Sequence, residues 1–406
     1  MKDDKRPLSG IRILDLTTHA AGPGAARILA DQGAEVIKVE PLEGDVWRAQ
    51  AQMLGFPIED TETPCFDMLN GNKKFLAVDL KSEQGKEIFH RALESADVLI
   101  TSYRDSALKK LGISYEQLHE KYPRLVYGHV KGYGEKGPEA ERPGYDMVTY
   151  FARSGIMIDT VAEGQLPLLN IGGIGDHPTS VALAQGVTAA IIRQIRTGRG
   201  DKVVVSLYHA AVWAASTLIL STQYGAKYPL CYEEPTFSPV VHPYRCADGT
   251  WVIMMLVDLN KYWAAFCNTI DRPDLIANPK FNNMKNIKKN QPELVGILSR
   301  VIGEKPYQEW AERWRPNDIP YEVVSHMRDV PFDETARLND FVQPVSYPSG
   351  KTAYMPTSPM QFREMGTPPL KTTVGIGSET FEILQELGYS GEEIANMQEE
   401  NIVKCR

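Results

Sequence analysis

Residues 11–40, IRILDLTTHAAGPGAARILADQGAEVIKVE, decide the fold. Residues 11–17 alternate in polarity and are rich in β-formers, which predicts a strand. Residues 19–24, HAAGPG, read as a loop. AARILADQG then shows a helical period with a glycine stop at Gly33, and EVIKVE, residues 35–40, is a second strand. A strand, a helix and a strand joined this tightly form a βαβ unit, so the chain is an α/β protein with a parallel sheet.

The unit recurs. FLAVDL (75–80), DVLITS (97–102) and RLVYGHVKGYG (124–134) predict strands, with helices over EQGKEIFHRALESA and SYEQLHEKY. PTSVALAQGVTAAIIRQIRTG predicts a long helix with an apolar face at Val181, Ala184, Val187, Ala190 and Ile191. DKVVVSLYHAAVWAAS adds a strand and a buried helix. The rhythm changes near residue 223. In YRCADGTWVIMMLV (244–257), Asp-Gly between β-rich runs signals a hairpin. Three regions follow: a large α/β region over 1–222, a smaller α+β region over 223–330, and 331–406, which closes in amphipathic helices.

The 406 residues, 43% hydrophobic and 24% charged, suit a globular protein long enough for two domains. A net charge of -8 argues against nucleic acid as a partner. The start has no basic segment leading into an apolar one, and the apolar stretch from Val203 to Leu220 is interrupted by Ser206, His209, Ser216 and Thr217. Neither a signal peptide nor a membrane span is expected. Five scattered cysteines without a C-x-x-C fit a reduced, cytoplasmic compartment and no zinc site.

Gly22-Pro23-Gly24 is followed by Arg27 where a dinucleotide fingerprint needs a small residue, so an NAD-linked dehydrogenase is a weak alternative. Ser349-Gly350-Lys351-Thr352 lacks the rest of a P-loop and reads as a turn. Of the many basic residues, Lys38, Lys73, Lys74, Lys109 and Lys110 read mostly as solvated surface. Lys81, Arg104 and Lys131 stand at or just past the ends of three predicted strands. Open α/β sheets take ligands at that edge, and the charges suit a phosphate-rich one.

NIGGIGDHPTS, residues 170–180, crowds three glycines against Asp176, with Pro178 in the first turn of a helix. Asp176 reads as the helix N-cap. The helix N-terminus would hold its carboxylate ionised, and an ionised carboxylate is a nucleophile where no stronger one is present. The amides of Gly172 to Gly175 are placed to receive an oxyanion. Spacing alone leaves the cap and the nucleophile both open.

The blocks LSGIRILDLT, AGPGAARILADQGAEVIKVEP, NGNKKFLAVDLKSEQGKE, ADVLITSYRDSALKKLGI, PRLVYGHVKGYGEKGP, GYDMVTYFARSG, GIGDHPTSVALAQGV and TGRGDKVVVSL resemble, in order, those of the family III CoA-transferases, the group of formyl-CoA and carnitine CoA-transferases. The resemblance implies a large domain with an open Rossmann-like sheet, built from both chain ends, a smaller α+β domain inserted between them, and an interlocked homodimer. It implies that Asp176 is catalytic and carries the acyl group as a mixed anhydride, then CoA as an aspartyl-CoA thioester. Coenzyme A thioesters are then substrates, with no permanently bound cofactor and no metal.

Contacts to CoA are implied at Ala20 and Ala21 near the thiol and at Val78 and Lys81 on the adenine side. Ser102, Tyr103 and Arg104 would hold the nucleotide, Lys110 stands at a family arginine, and Lys131, Gly132 and Tyr133 match a V-K-G-Y segment. Gly172, Gly173 and Gly175 would form the acyl loop. Formyl-CoA transferases carry Gln at the place of Ala20, an arginine is replaced by Pro41, and their glycine-rich lid is not found. These departures imply a larger, more apolar acyl pocket, expected near Met147, Phe151, Met157 and Trp213. GYGEKGPEAERPGYD, YFARSG and GIGDH are most similar to the clostridial 2-hydroxyacyl CoA-transferases of amino-acid fermentation, whose acceptors are acids such as phenyllactate and 2-hydroxyisocaproate. Transferases for carnitine-like or bile acids are alternatives. So are the α-methylacyl-CoA racemases, which carry a histidine base where Tyr145 stands.

Overall fold

A computed structural model describes residues 6–59, 61–169, 172–228 and 238–406. The chain forms two compact units, one of residues 1–158, 167–226 and 331–406, the other of 159–166 and 227–330. The junction falls after residue 226 rather than 222, and the short excursion 159–166 has no periodicity that announces it.

The first unit is built on β1 (Arg12–Leu16), β2 (Glu35–Glu40), β3 (Lys74–Ala77), β4 (Val98–Thr101), β5 (Val126–Lys131) and β6 (Lys202–Ser206). All pair in parallel, in the order β3-β2-β1-β4-β5-β6. That order puts a topological switch point between β1 and β4, where the loops leaving the two strands diverge and open a crevice. Every strand of this sheet precedes residue 207. The unit draws on both chain ends, but its sheet does not.

Strand residues alternate between two cores, as the two-residue period requires. Ile13, Val36, Val98, Ile100 and Val126 face one core with Ala25, Leu29, Leu183, Val187 and Ile191. Leu14, Ile37, Leu99 and Tyr127 face the other with Ile88, Phe89, Ile383, Leu384 and Ile394. The C-terminal part covers the β3 edge. The amides of Phe75, Ala77 and Asp79 donate to the Glu379 carboxylate (2.9 Å), the Thr380 hydroxyl (2.9 Å) and the Ile402 carbonyl (2.8 Å). Val78 and Val403 form an antiparallel bridge beside them.

Helix α1 (Ala21–Asp31) begins inside the expected loop 19–24. Gly24 lies in its first turns because the long helix Asp176–Thr197 crosses there; a β-carbon on Gly24 would fall 2.6 Å from Ser180 Oγ. Ser180 in turn donates to the Ala21 carbonyl at 2.8 Å. The long helix buries Ala184, Val187, Ala190 and Ile191 as expected, while Val181 is half-buried and Leu183 is added. The helices after β6 differ from expectation. Over 207–222 only Leu207, Ala211 and Ala215 are buried, and Trp213 is 79% exposed. Ser349–Lys351 form the turn of an antiparallel hairpin between Val342–Ser346 and Thr352–Pro356.

The second unit contains the expected Asp-Gly hairpin, Pro243–Arg245 against Trp251–Met254, with Gly249 at φ +87° and a third strand, Tyr321–Val323. Its core stacks Trp310 on Trp314 beside Phe266 and Trp263. Cys65, Cys246, Cys267 and Cys405 are free thiols; Cys231 lies outside the described residues. Among the described residues no helix is long and apolar enough to cross a membrane.

Candidate active site

The loops leaving β1 and β4 enclose a cavity of about 450 Å³ at the switch point. Its floor is held from below by two buried lysines. Lys73 Nζ donates to Asp15 (2.8 Å), to Asn70 Oδ1 (2.9 Å) and to the Pro23 carbonyl in the first turn of α1 (2.9 Å). Lys38 Nζ donates to the Thr17 carbonyl (2.9 Å) and pairs with Asp45 (2.8 Å). Neither is the solvated side chain expected from the sequence. Burial pushes the Lys73 ammonium down to about 8, against the pull of Asp15, while Asp45 and Asp15 hold Lys38 above its usual range despite burial. A lysine costs too much to bury unpaired, so these pairs fix the path of residues 15–23.

Ala20, Ala21, Ser102, Tyr103, Arg104, Lys131, Gly132, Gly172, Gly173 and Asp176 all line this cavity. A second cavity of about 570 Å³ lies past the ends of β2 and β3, lined by Val78, Lys81, Tyr103 and Lys110. Tyr103 borders both. Of the expected positions, Tyr133 and Gly175 line neither. Lys131 is buried, and its ammonium already pairs with Asp105. Met147 lines the first cavity, whereas Phe151 is buried in the core and Met157 packs against it. Trp213 lines neither cavity.

Asp176 is not the N-cap. Gly175 is the cap residue and offers no side chain; Asp176 is the first helical residue. Its carboxyl is pushed up to about 7, first by loss of water and then by the charge of Asp146. The expectation that the helix terminus keeps it fully ionised is therefore corrected. The terminus does favour the anion, but that effect is worth under about 1 kcal/mol at typical sites, less than desolvation costs here.

Asp146 is the residue that spacing did not reveal. It is buried and opens one turn of π-helix, Asp146–Ala152, of the kind often found at functional sites. Its two oxygens accept the amides of Gly173 (2.8 Å) and Gly175 (3.0 Å). Those two amides are thus engaged by a carboxylate and are not free for an oxyanion in this conformation. Gly173 takes φ +100°, which lets the loop turn back toward Asp146. The segment carrying Asp146 comes this near because Gly132 and Gly144 cross. A β-carbon on Gly132 would fall 2.8 Å from the Gly144 Cα.

Replacing Asp146 by Asn removes the charge and one of the two acceptors. The acid limb of the pH–rate profile should move to lower pH, because Asp176 then ionises more readily. The plateau should fall about tenfold as one loop hydrogen bond is lost. A profile with an unchanged acid limb, followed by initial rates across pH 5–9, would contradict this.

His19, Trp47 and Arg142 also line the first cavity. The one sequence signal for them is proximity to recognised segments. Among the described residues, no three His, Cys, Asp or Glu side chains gather as a metal site.

The model of CoA-transferase family III matches residues 8–373, and the chain belongs to that family. It is 38% identical to (R)-2-hydroxy-4-methylpentanoate CoA-transferase of Clostridioides difficile over 98% of this chain and 99% of that one. It is 35% identical to cinnamoyl-CoA:phenyllactate CoA-transferase of Clostridium sporogenes, covering 100% and 99%. The crystal structure of Rv3272 from Mycobacterium tuberculosis superposes with a TM-score of 0.80 at 27% identity, covering 93% of this chain and 98% of that one. The protein is a CoA-transferase, and the dehydrogenase alternative falls away.

Proposed function

We propose that this enzyme moves CoA from an acyl-CoA, an enoyl-CoA or 2-hydroxyacyl-CoA, to a free 2-hydroxy acid, with Asp176 as the nucleophile. One observation carries the reading: Asp176 lines a cavity that also takes in the implied CoA positions Ala20, Ala21, Ser102, Tyr103, Arg104, Lys131 and Gly132. The names of two full-length relatives, which act on 2-hydroxy-4-methylpentanoate and phenyllactate, support the acceptor class.

In this reading CoA runs along the strand ends. Its adenosine phosphate lies by Lys81 and Lys110, and the pantetheine passes Tyr103. The Asp176 carboxylate adds to the thioester carbonyl, the C–S bond breaks, and a mixed anhydride and CoA thiolate result. The thiolate attacks the aspartyl carbonyl, releasing the acyl carboxylate and leaving an aspartyl-CoA thioester. The acceptor carboxylate attacks that thioester and frees the thiolate again, which takes the new acyl group and restores Asp176. The activated bond is conserved throughout, and the burial that raises the Asp176 carboxyl also keeps water from these intermediates. The racemase alternative needs a base on each face of the α-carbon, and Tyr145 stands where the racemases carry their histidine. The enzyme works as an interlocked homodimer in the cytoplasm, where exposed Trp213 and Tyr224 would find cover.

Incubation with acyl-CoA and hydroxylamine should convert the Asp176 carboxylate to a hydroxamate, a mass change on one peptide. Transfer assays should yield CoA esters of 2-hydroxy acids, and the enzyme should weigh twice its 45.4 kDa chain by light scattering. An unmodified Asp176 peptide with every acyl-CoA offered would overturn the covalent reading.

A further inference from the structure

His19 stands in the cavity wall in a conformation few side chains adopt, at φ +64°. A β-carbon makes that left-handed region costly, and histidine is among the residues that tolerate it. Its ring is held on two sides. Trp47 lies 6.3 Å away, tilted by 50°, and Tyr145 meets it edge-on at 5.5 Å. Nδ1 is 3.1 Å from the Thr18 hydroxyl, and the Thr18 amide donates to Ser102 Oγ at 3.0 Å across the switch point. Nε2 has no hydrogen-bond partner among the described residues.

The ring is half-buried. Loss of water, opposed by Asp45 and aided by Lys38, holds the imidazole below its ordinary range and favours its neutral form. Tyr145 directly precedes Asp146, whose carboxylate grips the glycine loop beside Asp176. One ring therefore separates His19 from the segment that positions the nucleophile.

We propose that His19 is a specificity-determining residue that reads the α-hydroxyl of the acceptor acid through Nε2. The proposal rests on the reading of the acceptor as a 2-hydroxy acid. The Thr18 contact fixes one ring nitrogen, as donor or as acceptor, and so sets the other to the complementary role. A hydroxyl both donates and accepts, so it suits either tautomer. Trp47 and Tyr145, which flank the ring, offer apolar faces to the side chain of the acid. Of the other charged groups in this wall, Lys131 pairs with Asp105, Arg142 with Glu139 and Asp146 with the amides of Gly173 and Gly175, and in the proposed reading Asp176 is taken up by the acyl transfer and Arg104 by the nucleotide.

The test compares 2-hydroxy-4-methylpentanoate with 4-methylpentanoate in the wild type, His19→Ala and His19→Asn. The readout is the ratio of kcat/KM for the two acids within each protein, so a general loss of activity cancels. The wild type should favour the hydroxy acid by about tenfold or more, His19→Ala should bring the ratio to about one, and His19→Asn, which keeps the backbone conformation and a polar group, should retain part of it. An unchanged ratio in His19→Ala would overturn the proposal. A wild type that shows no preference for the hydroxy acid would instead strike at the acceptor reading, and His19 would fall with it.

Discussion

Asp176→Asn should lose CoA transfer by about 10³-fold or more while still binding acyl-CoA, because it keeps the shape of the loop and removes only the nucleophilic oxygen. Steady-state transfer together with acyl-CoA titration checks both halves, and turnover near the wild-type rate would end the assignment. In the wild type, burial pushes the Asp176 carboxyl up to about 7. Only the anion attacks, so the rate of the first half-reaction should rise with pH through that value and level off above it. The same displacement is a statement about stability. A carboxyl whose folded pKa exceeds its unfolded value contributes stability that is fully present below about pH 4 and is lost as pH rises through 7. Asn does not titrate. The variant should therefore melt above the wild type at pH 8, by about 1–2 kcal/mol after allowance for partial solvent screening, and by much less at pH 4. Equal melting differences at both pH values would remove desolvation as the cause.

Gly175→Ala should be the most damaging change among the loop glycines. The backbone there, φ -86° and ψ -26°, suits any residue, so conformational freedom is not the issue. Space is: a β-carbon would land on Asp146 Oδ1 and on the Tyr150 ring. Asp146 would have to release the Gly175 amide, and the start of the nucleophile helix would shift. A misplacement of about 1 Å costs about 10²-fold in rate. Gly172→Ala is the control, since nothing lies within 4 Å of its added carbon. It should fold normally and raise the KM for acyl-CoA only if the acyl group occupies that space. Similar kcat values for both variants would show that the Asp146 contact does not position the loop.

Much of the first unit is legible because its signals are local. The alternation in residues 11–17 and 35–40 and the apolar period of 178–198 each report one element and the face it buries. The strand ends likewise place Arg104 and Lys131 on the first cavity and Lys81 on the second without any knowledge of a ligand. What escaped is pairwise and distant. Lys73 looks like a surface lysine until Asp15 is brought beneath it by the pairing of three strands. Asp146 looks like one more acid before an apolar run, and its grip on Gly173 and Gly175 exists only after Gly132 and Gly144 cross. The upward shift of the Asp176 carboxyl has the same origin. A helix start is visible in the chain, but the burial of the carboxyl depends on the residues packed around it in the fold.

The cover on the β3 edge has a consequence for the order in which the protein is made. The amides of Phe75, Ala77 and Asp79 find partners only at residues 379, 380 and 402. At roughly 5–20 residues per second, the ribosome emits those partners about 15–60 s after the strand. During that interval the sheet is a template open along one side, able to recruit a strand from a neighbouring nascent chain. Newborn copies on one message are thus exposed to pairing with one another until residues 379–402 have emerged and covered the seam.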